Sequence, residues 1–339
     1  MANSMHETAA TWLAQWHSDG VKVAAHELMY YRSKAAALAR LRPRLKPGRS
    51  GALLSKVKGR GMEFDEFRHY QAGDDIRAID WRVTARTGTP HTKLFREERE
   101  RPVLLVVDFS DSMQFGSQLL LKSVQACHLA SALAWLAVAR GDRVGALLAS
   151  TPSAQSQPQH IELRPQAREH AVTRIIQQLV AAQNQALQNW QQPHQERASV
   201  LPYLLQRTLQ VAKPGTLVYV ISDWRGLLTN SQQSADTAAV QALLALQRHC
   251  QLVPMQLVDP LELSLEAVAQ AQISEQLALT DGQVEWQFDP HQAHQQQQYA
   301  NAAAAWQQQL IQQFQQQALE LWQFSAATPL ESQWPGVRL

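Results

Sequence analysis

From residue 101 onward, short apolar runs alternate with longer stretches whose apolar positions recur every three or four residues. This is the pattern of strands joined by helices in a mostly parallel sheet. It predicts strands at 103–108, 142–149, 216–222 and 250–258, an edge strand at 160–163 and a closing strand at 319–324. The central runs are almost wholly apolar rather than alternating, as in strands covered on both faces. Helices are predicted at about 118–139, 169–182, 200–212, 235–248 and from Asp289-Pro290 to about 317, with 183–198 as a Gln-rich linker. The Gln- and Ala-rich 289–317 stretch keeps an apolar stripe of Tyr299, Trp306, Leu310 and Phe314, so it reads as a folded helix. Asp281-Gly282 marks a hairpin between 276–280 and 283–288.

Upstream, residues 6–41 are rich in Ala, Leu, Met, Glu and Lys, with Leu28, Tyr31, Ala35 and Leu38 at helical spacing, which predicts one or two helices. Pro43, Pro47, Gly48 and Gly51 break that pattern. Residues 58–100 follow no single period. Asp74 or Asp75 is placed to cap a short helix carrying Ile76, Ile79 and Val83, and 91–95 reads as a strand. The expected fold is α/β, a doubly wound, mostly parallel sheet preceded by a helical N-terminal region and a small mixed α+β segment. The divisions are 1–57, 58–100, 101–328 and a tail at 329–339.

Composition narrows the class. A chain of 339 residues, 45% hydrophobic, with ten Trp and a formal charge of +2, is globular rather than disordered or nucleic-acid-coating. Cys127 and Cys250 are far apart and form no zinc or redox spacing. The opening residues lack a secretory pattern, and the longest apolar stretch, 129–139, is too short to span a bilayer, so the expected location is cytoplasmic. Residues 32–60 carry ten Lys and Arg and no acid. That block reads as a solvated helix end and loop, or as a surface for an acidic partner.

The chemistry concentrates where strands end. The run Val103–Val107 stops at Asp108, followed by Ser110 and Ser112, and a second apolar run stops at Asp223. In a doubly wound sheet, neighbouring strand ends face one crevice, so these four residues can converge across more than 100 positions. They offer only oxygen, which suits a hard cation such as Mg²⁺ with exchangeable positions left for a partner's carboxylate. The same residues also suit capping of the following helix.

Asp108-x-Ser110-x-Ser112 before a helix, with Ile221-Ser222-Asp223 at a later strand end, resembles a von Willebrand factor A domain, a Rossmann-type fold. The resemblance implies a metal-ion-dependent adhesion site in which both serines bind Mg²⁺ directly and the aspartates bind it directly or through water. It also implies a loop threonine. The expected Gly-x-Thr is absent here, and Ser199 stands in the corresponding place. A longer signature includes Gly59, Gly61, Glu63, Phe64, Arg68, Tyr70, Gly73, Asp74, Asp75, Arg77, Ile79, Asp80, Trp81 and Arg86. It resembles the family called domain of unknown function 58, and reads as an ion-paired scaffold or as a recognition face.

That resemblance implies a non-enzymatic, Mg²⁺-dependent interaction or adaptor protein. It would work with a MoxR-type AAA+ ATPase and other A-domain proteins in a chaperone-like or metal-insertion assembly, with an acidic residue of the partner as metal ligand. Two other classes compete. One is a metal-dependent hydrolase using the Asp-rich segment, with Asp75 and Asp80 as its paired carboxylates. The other is binding of nucleic acid or anionic membrane by the basic block. The chain has no P-loop, no nucleophile elbow and no HExxH zinc motif.

Overall fold

The computed structural model describes residues 10–40, 62–71, 76–97, 100–152, 158–191, 200–229, 234–265, 277–280, 285–289 and 292–334. The chain forms two compact units, one of residues 1–48 with 101–339 and one of residues 49–100.

The larger unit begins with a helical stretch at 10–16, then α1 (Ala25–Met29) and α2 (Tyr31–Arg40). Leu28, Tyr31 and Ala35 are buried, as their spacing predicts. These helices pack on the sheet unit instead of standing apart from it: the Ser131 hydroxyl donates to the Leu28 carbonyl at 2.8 Å, and Tyr31 Oη lies 3.1 Å from His128 Nδ1.

In the smaller unit, β1 (Met62–His69) pairs antiparallel with β2 (His91–Glu97), with a bulge between Phe64 and Glu66. A 3₁₀ turn at Ile76–Ala78 and α3 (Trp81–Thr87) lie between them in sequence. The helix starts later than the sequence suggests. Its cap is Asp80, whose Oδ1 accepts the Arg82 and Val83 N–H groups at 2.9 and 3.1 Å. Asp74 and Asp75 lie outside the described residues. Ile76 is 63% exposed, because the 3₁₀ turn interrupts the spacing that would have aligned it with Val83.

The remaining strands are β3 (Pro102–Phe109), β4 (Arg143–Ser150), β5 (Gln159–Gln166), β6 (Leu217–Ser222), β7 (Leu228–Thr229), β8 (Ser234–Ala235), β9 (Gln251–Val258), β10 (Leu277–Thr280), β11 (Glu285–Phe288) and β12 (Trp322–Ser325). Six of them form one sheet in the order β12-β9-β6-β3-β4-β5, parallel except for the antiparallel edge strand β5. β7 with β8, and β10 with β11, form separate antiparallel pairs; the second pairs the two strands expected around Asp281-Gly282, which itself lies outside the described residues. From β3 the chain adds β4 and β5 on one side and then β6, β9 and β12 on the other. The direction reverses between β3 and β6, which is where open α/β sheets bind ligands.

The helices are α4 (Lys122–Ala139), α5 (Glu169–Trp190), α6 (Leu201–Val211), α7 (Thr237–His249), α8 (Ala293–Gln316) and α9 (Leu330–Gln333). They cover both faces of the sheet. Val103, Leu105, Val107 and Phe109 point into one core with α4 and α5. Leu104 and Val106 point into the other with α6, α7 and the Leu310 and Phe314 side of α8. Alternate β3 residues therefore enter opposite apolar cores, which explains the unbroken apolar run. α4 is buried on nearly every side, between the sheet and the N-terminal helices, and its sequence is correspondingly apolar all round.

Two expectations are corrected. The 183–198 stretch is not all linker, because α5 continues to Trp190 with Gln183 and Asn189 buried. The Gln183 amide donates to the Val21 carbonyl at 2.8 Å, and its oxygen accepts the Val23 N–H at 3.3 Å. The segment read as a tail also starts inside the fold, with Leu330 and Trp334 buried in the core.

Candidate functional site at the carboxyl edge of the sheet

β3 and β6 lie side by side in parallel register, Val107 opposite Ile221, so the residues that follow them emerge together. Asp108 is 1% exposed and Asp223 is 3% exposed. Asp108 Oδ1 accepts the Ser110 N–H at 2.8 Å, and its Oδ2 accepts the Ser222 hydroxyl at 2.7 Å. The Ser222 hydroxyl oxygen in turn accepts the Trp224 N–H at 3.0 Å. One carboxylate thereby joins both central strand ends. Burial, reinforced by the nearby Asp223 charge, raises the Asp108 carboxyl from 3.8 to about 6, against the hydrogen bonds from Ser222 and Ser110.

Beyond Asp108 the chain makes a 3₁₀ turn at Asp111–Met113 that brings Ser110 Oγ and Ser112 Oγ within 3.2 Å of each other. Two adjacent oxygen ligands of an octahedral Mg²⁺, each at about 2.1 Å, stand about 3 Å apart. The hydroxyl pair has that spacing. The donors are all oxygen, and a divalent charge would relieve the burden on Asp108, so the residues present fit a hard cation. Among the described residues no group of three or more His, Cys, Asp and Glu side chains is arranged to hold a metal. A cation here would therefore depend on the serine hydroxyls.

Asp223 is held differently. Its Oδ1 accepts the Arg225 N–H at 3.1 Å, and its Oδ2 accepts from Lys122 Nζ at 2.8 Å. Burial pushes its carboxyl upward, but the charges of Lys122 and Arg225 outweigh that and leave it below the usual carboxylate range. Between Asp223 and Arg225, Trp224 adopts a left-handed conformation with φ 64, which costs a bulky residue about 1–3 kcal/mol. Its fully buried ring secures it. The indole N–H donates to the Met255 carbonyl at 3.0 Å, and the ring meets Phe314 edge-on.

Sequence reasoning missed several supporting groups. Lys122, the first residue of α4, has a side chain with no exposure and also donates to Glu262 at 2.6 Å. β9 likewise ends in an acid, Asp259, which accepts the Ser117 N–H at 2.8 Å, the Ser117 hydroxyl at 2.5 Å and the Leu261 N–H at 2.9 Å. These bonds fix the loop between Ser112 and Lys122 to a third strand end. At the end of β4, the Thr151 hydroxyl accepts the Asp111 N–H at 3.2 Å. The signal for Asp259 was present as another apolar run stopping at an acid. Lys122 gave none, because a lysine opening a helix ordinarily lies in solvent.

Of the sequence-predicted site residues, Asp108, Ser110 and Ser112 gather with Asp223 at this edge, while Ser199 lies outside the described residues. In the smaller unit, Gly73 and Asp74 also lie outside them. The Arg68 guanidinium donates to Gln71 at 2.8 Å, Tyr70 is half-buried, and Arg77 and Arg86 are exposed. Asp80 serves α3 as its cap, and Trp81 is 65% exposed. No described helix is long and apolar enough to cross a membrane.

Three uncharacterized mycobacterial proteins, one from Mycobacterium bovis and two from strains of Mycobacterium tuberculosis, are each 42% identical to this chain over 120 residues. The match covers 34% of this chain and 38% of each relative. No solved structure matches the chain significantly. The family model described as "Protein of unknown function DUF58" matches residues 66–309, well over half of the chain, which therefore belongs to the DUF58 family.

Proposed function

We propose that this protein is a non-enzymatic, Mg²⁺-dependent interaction protein whose larger unit is a von Willebrand factor A-like domain. The observation that carries the reading is the paired Ser110 and Ser112 hydroxyls beside Asp108, at the reversal point between β3 and β6. Ser110, Ser112 and Asp108 would hold the cation. Both aspartates have each oxygen hydrogen-bonded, but the donors to Asp108 are uncharged and leave it a lone pair for the cation, whereas Asp223 is already paired with the Lys122 ammonium and would act through water. When bound, Mg²⁺ supplies positive charge and an exchangeable position for a carboxylate from the partner. Ser222 and the Ser110 N–H keep the Asp108 carboxylate oriented, and Asp259 keeps the intervening loop in place.

For the partner we propose a MoxR-type AAA+ ATPase, with this chain as adaptor in a chaperone-like or metal-insertion assembly. The support is the family resemblance carried by the Gly59 to Arg86 signature and the strand-end Asp108, Ser110 and Ser112. The test is gel filtration of the full chain with a purified MoxR-type ATPase from the same organism. A complex that forms in Mg²⁺ and dissociates in EDTA or in Asp108→Ala is expected. A complex indifferent to both would refute the metal's role, and no complex under any condition would refute the partner.

A further inference from the structure

Lys122 is the least ordinary residue at the sheet edge. A lysine with no exposed side-chain surface is held between two carboxylates, Asp223 at 2.8 Å and Glu262 at 2.6 Å. Burying an ammonium group is costly unless charge and hydrogen bonds compensate, and here both acids do so. Glu262 also accepts from Arg225 at 3.0 Å, and the half-exposed Arg225 guanidinium lies 5.9 Å from the centre of the Trp306 ring. The result is a fixed positive charge bound directly to Asp223, the second carboxylate beside Asp108.

We propose that Lys122 is a built-in counter-cation that keeps the divalent-cation site weak until an anionic partner group, which the same charge attracts, arrives to complete it. The inference rests on reading the strand-end cluster as a divalent-cation site. A fixed ammonium beside the site repels an incoming divalent cation and attracts an incoming carboxylate, and the low-dielectric surroundings strengthen both effects. Lys122 therefore lowers cation affinity in the isolated protein and raises affinity for an acidic side chain. The acid, once docked, attracts the cation, and by linkage the cation increases affinity for the acid by the same factor. A site without this lysine would fill with its cation before any partner arrives and would draw in the partner's acid less strongly.

The test is titration of the full chain with Mn²⁺, followed by electron paramagnetic resonance, with and without acetate as carboxylate probe. Lys122→Met keeps the side-chain length and removes the charge. It is expected to bind Mn²⁺ alone about tenfold more tightly than wild type, and so to fill without acetate at Mn²⁺ concentrations where wild type needs it. Unchanged or weaker Mn²⁺ binding by a folded Lys122→Met overturns the proposal. If wild type still binds Mn²⁺ and Asp108→Ala does not, the metal reading survives that failure. No Mn²⁺ binding by wild type or variant overturns both. Should Lys122→Met fail to fold, Glu262→Gln decides the question, because removing a negative charge there leaves Lys122 less compensated. Its Mn²⁺ affinity is expected to fall severalfold, and an unchanged or higher affinity overturns the proposal.

Discussion

Replacing Asp108 with asparagine separates a metal-binding carboxylate from a structural cap. Asp108 is 1% exposed, and its carboxyl rises from 3.8 to about 6 because burial and the Asp223 charge outweigh the Ser222 and Ser110 hydrogen bonds. A group whose pKa is raised on folding contributes stability that is fully present below the unfolded value and is lost as pH rises through the folded value. Wild type should therefore lose roughly 3 kcal/mol at this group between about pH 4 and pH 7, taking about 1.4 kcal/mol per unit. Asp108→Asn removes the charge and its pH dependence. The substituted amide can still accept the Ser110 N–H, but it must donate to Ser222 Oγ, which already accepts from Trp224, and the Ser222 proton loses its acceptor. That mismatch costs about 1 kcal/mol or somewhat more. The expected net effect is an apo protein about 1–2 kcal/mol more stable than wild type near pH 7.5. Urea denaturation in EDTA at pH 4.5 and 7.5 measures it, with the two proteins converging at the lower pH. A variant destabilised by more than about 1 kcal/mol at pH 7.5 would refute the reasoning and make Asp108 a structural cap.

Asp259 should behave in the opposite way. Its carboxylate accepts three hydrogen bonds from Ser117 and Leu261, and the amide of Asp259→Asn cannot accept on its nitrogen side, so a loss of about 2–4 kcal/mol is expected in the same denaturation assay, with faster amide exchange across 114–121. Gln183→Ala removes the side chain that meets both Val21 and Val23, and should speed hydrogen exchange in residues 20–31 far more than in β3 or β6. Glu27 supplies a pH test of the same helices. Burial raises its carboxyl, but His128, the Ala24 N–H and Ser18 together bring it below the ordinary carboxylate value, so its contribution is present above that value and disappears as pH falls through the depressed one. Wild type should release the N-terminal helices to protease in acid, and Glu27→Gln should release them already at neutral pH.

The sheet was readable because each central strand is a run of apolar residues feeding two cores, and because Asp108 and Asp223 stand where such runs end. Convergence of these two residues followed from topology alone. The rest of the site was hidden by residue type. Lys122 and Gln183 are polar residues that patterning assigns to solvent, yet both are fully buried by partners distant in sequence: Glu262 and Asp223 for the lysine, Val21 and Val23 for the glutamine. The same feature concealed the last turns of α5, where glutamines suggested a linker while Ala182, Ala186 and Leu187 maintained the apolar stripe. In the smaller unit, clustered aspartates offer several possible caps, and Asp80 is the one that accepts the Arg82 and Val83 N–H groups of α3.

Calorimetric titration of Mg²⁺ into the full chain at pH 7.5, compared with Ser110→Ala and Ser112→Ala, bears most directly on the proposed function. Saturable one-site binding by wild type, strengthened by a carboxylate ligand and lost in both serine variants, is predicted. No binding, or binding that survives removal of both hydroxyls, would contradict it.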